Sequence, residues 1–228
     1  MKLVAVTTSA DRVAAATIPF KMLGLGVVPL PCIAVEPVAD DLLGLVRESA
    51  AVADLIVISS RRTIDILWPD GDLPACDFAA VGPVTARAVT ERGGEVIRVG
   101  RAGAAELARS LQMVVSGRTV IWPHARGADP QPIELISKAA AVFAGPVIYG
   151  SVPQPPGVDE VDVVTFASPS AVAGWQLSRE LAPETIAVIG DTTRRAVEEA
   201  GCSPAVVAPE PTFQSLAESV AEYLGAAA

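Results

Sequence analysis

Histidine is nearly missing: His124, in the stretch IWPHARG, stands alone in 228 residues. A His-based triad and a multi-histidine metal site are thereby set aside, and His124 reads as a surface residue. Cysteine is scarce too. Cys32, Cys76 and Cys202 are odd in number, far apart and without C-x-x-C spacing, so they read as buried thiols, not as a zinc site or a disulfide framework. Neither G-x-G-x-x-G nor G-x-x-x-x-G-K-[ST] occurs, which removes the usual dinucleotide and nucleoside-triphosphate fingerprints. The GLG at 24–26 is read as a helix cap. Basic residues are in deficit, 17 Lys and Arg against 26 Asp and Glu, and the net charge of −9 offers no footprint for nucleic acid or an anionic membrane. Long apolar runs are also lacking. The opening MKLVAVTTS is too short in apolar residues for a signal peptide, and Pro, Gly or charge interrupts later runs before membrane-spanning length. These absences lead to the expectation of a cytoplasmic, monomeric protein that uses no metal and no organic cofactor.

What is present is an alternation. Short β-branched runs, among them LVAVTT (3–8), DLIVISS (54–60), DFAAVG (77–82), EVIRVG (95–100), RTVIWP (118–123), PVIYG (146–150), DVVTFAS (162–168) and TIAVIG (185–190), are separated by Ala/Leu-rich helical stretches. Nearly continuous apolar strands between helices signal parallel sheets covered on both faces, an α/β class.

The chain also repeats itself. AAVGPVTARAVTERGG (79–94) and AVIGDTTRRAVEEAG (187–201) align at an offset of 108, matching Gly82 with Gly190, Thr85 with Thr193 and Arg87 with Arg195. The same offset pairs VISSRRTI with TFASPSAV, so the repeat is a domain duplication. The first copy continues with a helix (103–115), a strand (118–122), a helix (130–142) and a strand (146–149), whereas the second has one helix (212–224) and stops. The missing pieces lie at the other end: LVAVTT, a helix over 11–23 and GVVPL at 26–30. A discontinuous domain of 1–33 and 152–228 with a second domain inserted at 37–149 is expected, the two similar three-layer domains joined by a two-stranded connector of PCIAVEPV (31–38) and YGSVPQPP (149–156). Proline keeps both segments extended.

In each copy a strand ends at Gly82 or Gly190, turns, and opens a helix near Thr85 or Thr193. The unpaired first-turn N–H groups and the helix dipole make such starts anion sites that need no cation. A second turn of the kind lies at Ser59-Ser60-Arg61 and at Ser168-Pro169-Ser170, with Pro169 suited to the first helical position. Ser and Thr at such places also serve simply as caps. Four turns at strand carboxyl ends, two per domain, point to a cleft of neutral donors for a large polycarboxylate. Tyr149, one of two tyrosines, lies where the inserted domain returns through the connector, and its phenol can donate a proton or a hydrogen bond; Tyr223 reads as packing.

VISSRRTIDIL, AAVGPVTARAVTERGGEV, VIYGSVP, VVTFASPSAVAGW and AVIGDTTRRAVEEAGCSPAVVAPEPTFQSLAESV, in this order over nearly the whole chain, resemble the uroporphyrinogen-III synthase family. The resemblance implies two α/β domains on a two-stranded connector and a cofactor-free enzyme. Its substrate would be hydroxymethylbilane, a linear tetrapyrrole with eight carboxylates, cyclised with loss of water and inversion of the last ring through a spiro intermediate. By the same resemblance Tyr149 assists departure of the hydroxyl group, and Ser60, Thr85, Ser168, Ser170 and Thr193 fall on substrate-binding turns. The chain departs from the family at Thr7-Thr8-Ser9, where Thr-Arg-Pro is frequent. The alternative is a catalytically silent binding or regulatory protein on the same scaffold; a periplasmic-type solute binder shares the hinge but would need an export signal.

Overall fold

The computed structural model describes residues 2–157, 160–181 and 185–226. In chain order its elements are β1 (Leu3–Thr7), α1 (Ala10–Ala16), α2 (Ile18–Met22), β2 (Gly26–Pro29), β3 (Ile33–Pro37), α3 (Asp40–Ala51), β4 (Leu55–Ile58), α4 (Arg61–Leu67), β5 (Asp77–Val81), α5 (Pro83–Thr90), β6 (Glu95–Gly100), α6 (Ala104–Leu111) and β7 (Thr119–Ile121). There follow β8 (His124–Ala125), α7 (Pro130–Ala139), β9 (Val142–Ala144), β10 (Val147–Pro153), β11 (Val163–Phe166), α8 (Pro169–Gln176), β12 (Ile186–Val188), α9 (Asp191–Glu199), β13 (Val206–Val207) and α10 (Phe213–Ala226). They form two compact units, one of Met1–Val35 with Ser151–Ala228 and one of Glu36–Gly150.

The first unit holds a parallel sheet in the order β13-β12-β11-β1-β2. Successive side chains leave opposite faces of a strand, and the core divides accordingly. Ala5, Val164, Phe166, Ile186 and Val188 pack under α8 and α9 with Val172, Trp175 and Val197. Val4, Val6, Val163 and Ala187 pack on the other face under Phe20 of α2 and Leu216, Ala217 and Val220 of α10. Burying each large aliphatic or aromatic side chain contributes about 1.5–3 kcal/mol, and two covered faces explain why these strands read as unbroken apolar runs. The helix expected over 11–23 is broken at Thr17, where α1 ends and Pro19 enters the first turn of α2.

The second unit repeats the plan with order β6-β5-β4-β7-β9, all parallel. Leu55, Val57, Ala79 and Val120 pack beneath α6 and α7, while the alternate residues Ile56, Ile58, Phe78 and Ala80 are fully buried as well. In both units the strand order reverses at one place, between β4 and β7 and between β11 and β1. Two sequence expectations need correction here. Helix α7 ends at Ala139, not at 142, and Val142–Ala144 form the fifth strand beside β7. The strand expected as the fifth, at 146–149, falls within β10, Val147–Pro153, which belongs to a separate three-stranded sheet in the order β3-β10-β8. Among the described residues no helix is long and apolar enough to cross a membrane.

Candidate functional site

Ligands of open α/β sheets gather at strand carboxyl ends where the strand order reverses. In the second unit that place is formed by the ends of β4 and β7. Ser59 and Ser60 leave β4 there, both half-buried. The Ser59 Oγ accepts the indole N–H of Trp122 at 2.6 Å, and the Ser60 Oγ accepts the Arg62 N–H at 3.3 Å, capping α4. Each oxygen accepts a bond from the protein and keeps a hydroxyl hydrogen to donate elsewhere. Arg61 is exposed, with Nε 3.4 Å from Asp65 Oδ2, and Arg92 reaches Asp65 Oδ1 at 2.8 Å. A surface pair of this sort contributes little.

The neighbouring turn follows β5, whose Ala80 is in register with Ile58 of β4, so both turns lie on one sheet edge. Gly82 has φ of +84°, a conformation that residues with a Cβ rarely adopt, and donates its N–H to the Gly100 carbonyl at 2.8 Å. Helix α5 opens at Pro83, two residues before Thr85. Proline has no N–H, so only the amides of Val84 and Thr85 precede the first intrahelical bond, from Ala86 N–H to Gly82 C=O at 3.1 Å. Thr85 itself is 7% exposed.

In the first unit, β11 ends at Phe166 and leads to Ser168, the cap of α8, whose Oγ accepts the Ala171 N–H at 3.3 Å. Pro169 is the first residue of α8 and exposed, and Ser170 is half-buried in the same turn. Beside it, β12 leads through Gly190, here in extended backbone, into α9, which opens at Asp191 and again buries its threonine, Thr193, to 2% exposure. The repeated turns therefore differ electrostatically. Asp191 places its own carboxylate at the helix start, held by Arg194 at 3.1 Å, whereas α5 has no acidic residue in its first turn. Hydrogen bonds from Arg194 to Asp191 and Glu198 raise its pKa further. Thr7, Thr8 and Ser9 are buried: the Thr7 hydroxyl donates to Thr165 C=O at 2.7 Å, the Thr165 hydroxyl returns to Ala5 C=O at 2.9 Å, and Cys32 N–H binds Thr8 C=O at 3.0 Å.

Tyr149 lies in β10, opposite Ala125 of β8, with its carbonyl accepting the Arg126 N–H at 2.7 Å. Its side chain is 6% exposed, and the phenol has no hydrogen-bond partner among the described residues. His124 is half-buried, with Nδ1 2.9 Å from Ala125 C=O and Nε2 3.0 Å from Gly145 C=O. Of the thiols only Cys32 is buried; Cys76 and Cys202 are half-buried. No three metal-ligating side chains gather among the described residues. Sequence reasoning passed over Trp122, although a tryptophan closing an apolar strand needs a partner for its N–H.

Two units of one strand order, each with two hydroxyl-bearing helix starts on neighbouring strand ends, define a duplicated parallel α/β protein. The family model described as uroporphyrinogen-III synthase HemD matches residues 13–218, and the chain belongs to that family. Among solved structures, uroporphyrinogen-III synthetase from Helicobacter pylori is similar at a TM-score of 0.63 and 14% identity, covering 98% of this chain and 100% of the other. A mutant uroporphyrinogen III synthase from Thermus thermophilus has a TM-score of 0.55 and 19% identity, covering 98% and 99%. At these identities the likeness bears on the fold. A search of curated proteins gave no match.

Proposed function

We propose that the chain is a working uroporphyrinogen-III synthase of porphyrin biosynthesis, which closes hydroxymethylbilane to a macrocycle with loss of water and inversion of the last ring. The observation that carries this reading is the family match over 13–218 together with a tyrosine, Tyr149, whose phenol has no protein partner among the described residues. Breaking the C–O bond of the hydroxymethyl group expels a poor leaving group. A phenol proton delivered to that oxygen lets it leave as water, while the pyrrole nitrogen supplies electron density to the carbon. Tyr149 is the donor in this reading.

Substrate binding falls to the helix-start turns: Ser59, Ser60 and Arg61, Gly82 and Thr85, Ser168, Pro169 and Ser170, and Gly190 and Thr193. Neutral donors suit a polyanion held by a chain of net charge −9, because amides and hydroxyls stabilise carboxylates without needing a basic surface; at the α9 start they do so beside the Asp191 carboxylate, which Arg194 pairs. The protein acts as a cytoplasmic monomer, in two domains of 1–33 with 152–228 and of 37–149, and needs neither cofactor nor metal. An assay with hydroxymethylbilane generated in place and the product isomers separated tests the reading. The inverted isomer should dominate with enzyme and the head-to-tail isomer without it. Identical isomer ratios in the two would promote the silent-scaffold alternative.

A further inference from the structure

We infer that Trp122 is a positioning residue, whose indole N–H turns the Ser59 hydroxyl hydrogen outward to a substrate carboxylate. The inference rests on the function proposed above. An indole N–H donates and cannot accept. At 2.6 Å it occupies a lone pair of Ser59 Oγ and excludes the rotamer in which the serine hydrogen faces the ring. Ser59 is half-buried, and its own O–H finds no acceptor among the described residues. The pair sits where β4 and β7 adjoin, at the reversal of strand order, with Trp122 itself 1% exposed and therefore fixed.

The duplication supplies the control. The Leu55–Val120 pairing of β4 and β7 corresponds to Val163–Val4 of β11 and β1, which sets Ala167 in the place of Ser59 and Val6 in the place of Trp122. The first unit builds the same sheet order without this hydrogen bond. The shared sheet order therefore does not require the pair.

The test compares steady-state kinetics of Ser59→Ala, Trp122→Phe and the double variant on hydroxymethylbilane generated in place, with isomers separated. Losing a neutral donor to a charged acceptor should raise KM about tenfold in Ser59→Ala with little change in kcat. Trp122→Phe leaves the hydroxyl free among three staggered wells, and KM should rise about threefold. The double variant should match Ser59→Ala, because the tryptophan acts only through the serine. Ser59→Thr, which keeps the hydroxyl, should recover most of the loss. If Trp122→Phe folds poorly, benzothienylalanine at position 122 exchanges the N–H for sulfur in a ring of similar shape and should give the same threefold rise. Unchanged KM in either single variant, or effects that multiply in the double, would overturn the inference alone. Failure of the wild type to make inverted product would sink the proposed function and this inference with it.

Discussion

Gly174 lies in the interior of α8, the helix that begins at the Ser168–Ser170 turn. Helix propensity by itself says that alanine there should stabilise the protein by about 1 kcal/mol. The packing says the reverse. A Cβ at Gly174 would overlap the carbonyl oxygen of Cys32 and stand 2.8 Å from that of Gln154. Neither neighbour is a flexible side-chain tip: both are backbone, tied by the Gln154 N–H to Cys32 C=O bond at 2.9 Å. The helix must therefore lift. Overpacking of this kind costs about 1–3 kcal/mol, and loosening the bond beneath adds about 1 kcal/mol. After the propensity gain is offset, Gly174→Ala should be destabilised by about 1–3 kcal/mol. For a chain of this length the melting temperature then falls by roughly 2–12 °C. Gly44, inside α3, has open space where a Cβ would stand, with no heavy atom within 4 Å, so Gly44→Ala should melt about 2–4 °C higher. Thermal unfolding followed by circular dichroism, with the neighbouring Trp175 as a fluorescent reporter, decides it. Gly174→Ala melting at or above wild type would refute the close approach of α8 to this backbone.

Three further outcomes are expected. Ser168→Ala removes both a helix cap and a proposed carboxylate donor, so it should lose about 1 kcal/mol of stability and bind substrate more weakly; Thr193→Val, a buried near-isostere, should weaken binding with its melting temperature nearly unchanged. Burial pushes the Cys32 thiol up to about 12, against the pull of Arg179, and burial with the charges of Asp77 and Asp54 pushes Cys76 up to about 11. Because the unfolded thiols ionise first, the two contribute no pH dependence below the ordinary value of 9.0 and lower stability as pH rises from there toward 12; denaturation curves of Cys32→Ala should show a shallower alkaline decline. Exhaustive dialysis against a chelator should leave the cyclisation rate unchanged, and a loss restored by added metal would contradict the cofactor-free reading.

The parallel sheets were legible because strands covered on both faces, such as Leu55–Ile58 and Val163–Phe166, are apolar at nearly every position and fully buried. Short edge elements were not. Val142–Ala144 is partly exposed, follows directly on the alanine run 139–141 at the end of α7 and carries no alternation to mark its start. Of the candidate site, the serine and threonine turns could be seen because a strand, a small residue and a helix follow one another locally. Their differences could not: that Pro83 removes an amide from one start and that Asp191 fills the other emerges only once the helices are placed. The Trp122–Ser59 bond joins residues from separate strands 63 positions apart, and it exists only because β7 lies next to β4.

The most direct measurement of the central claim is the kinetics of Tyr149→Phe with the product isomers resolved. A phenol that assists departure of the hydroxyl group acts in the transition state, and general acid assistance is typically worth about 10²–10⁴-fold. The account predicts that kcat falls by that factor while KM stays within a few-fold, and that the head-to-tail isomer rises as released substrate closes in solution. Turnover by Tyr149→Phe at the wild-type rate, with the inverted isomer undiminished, would contradict it.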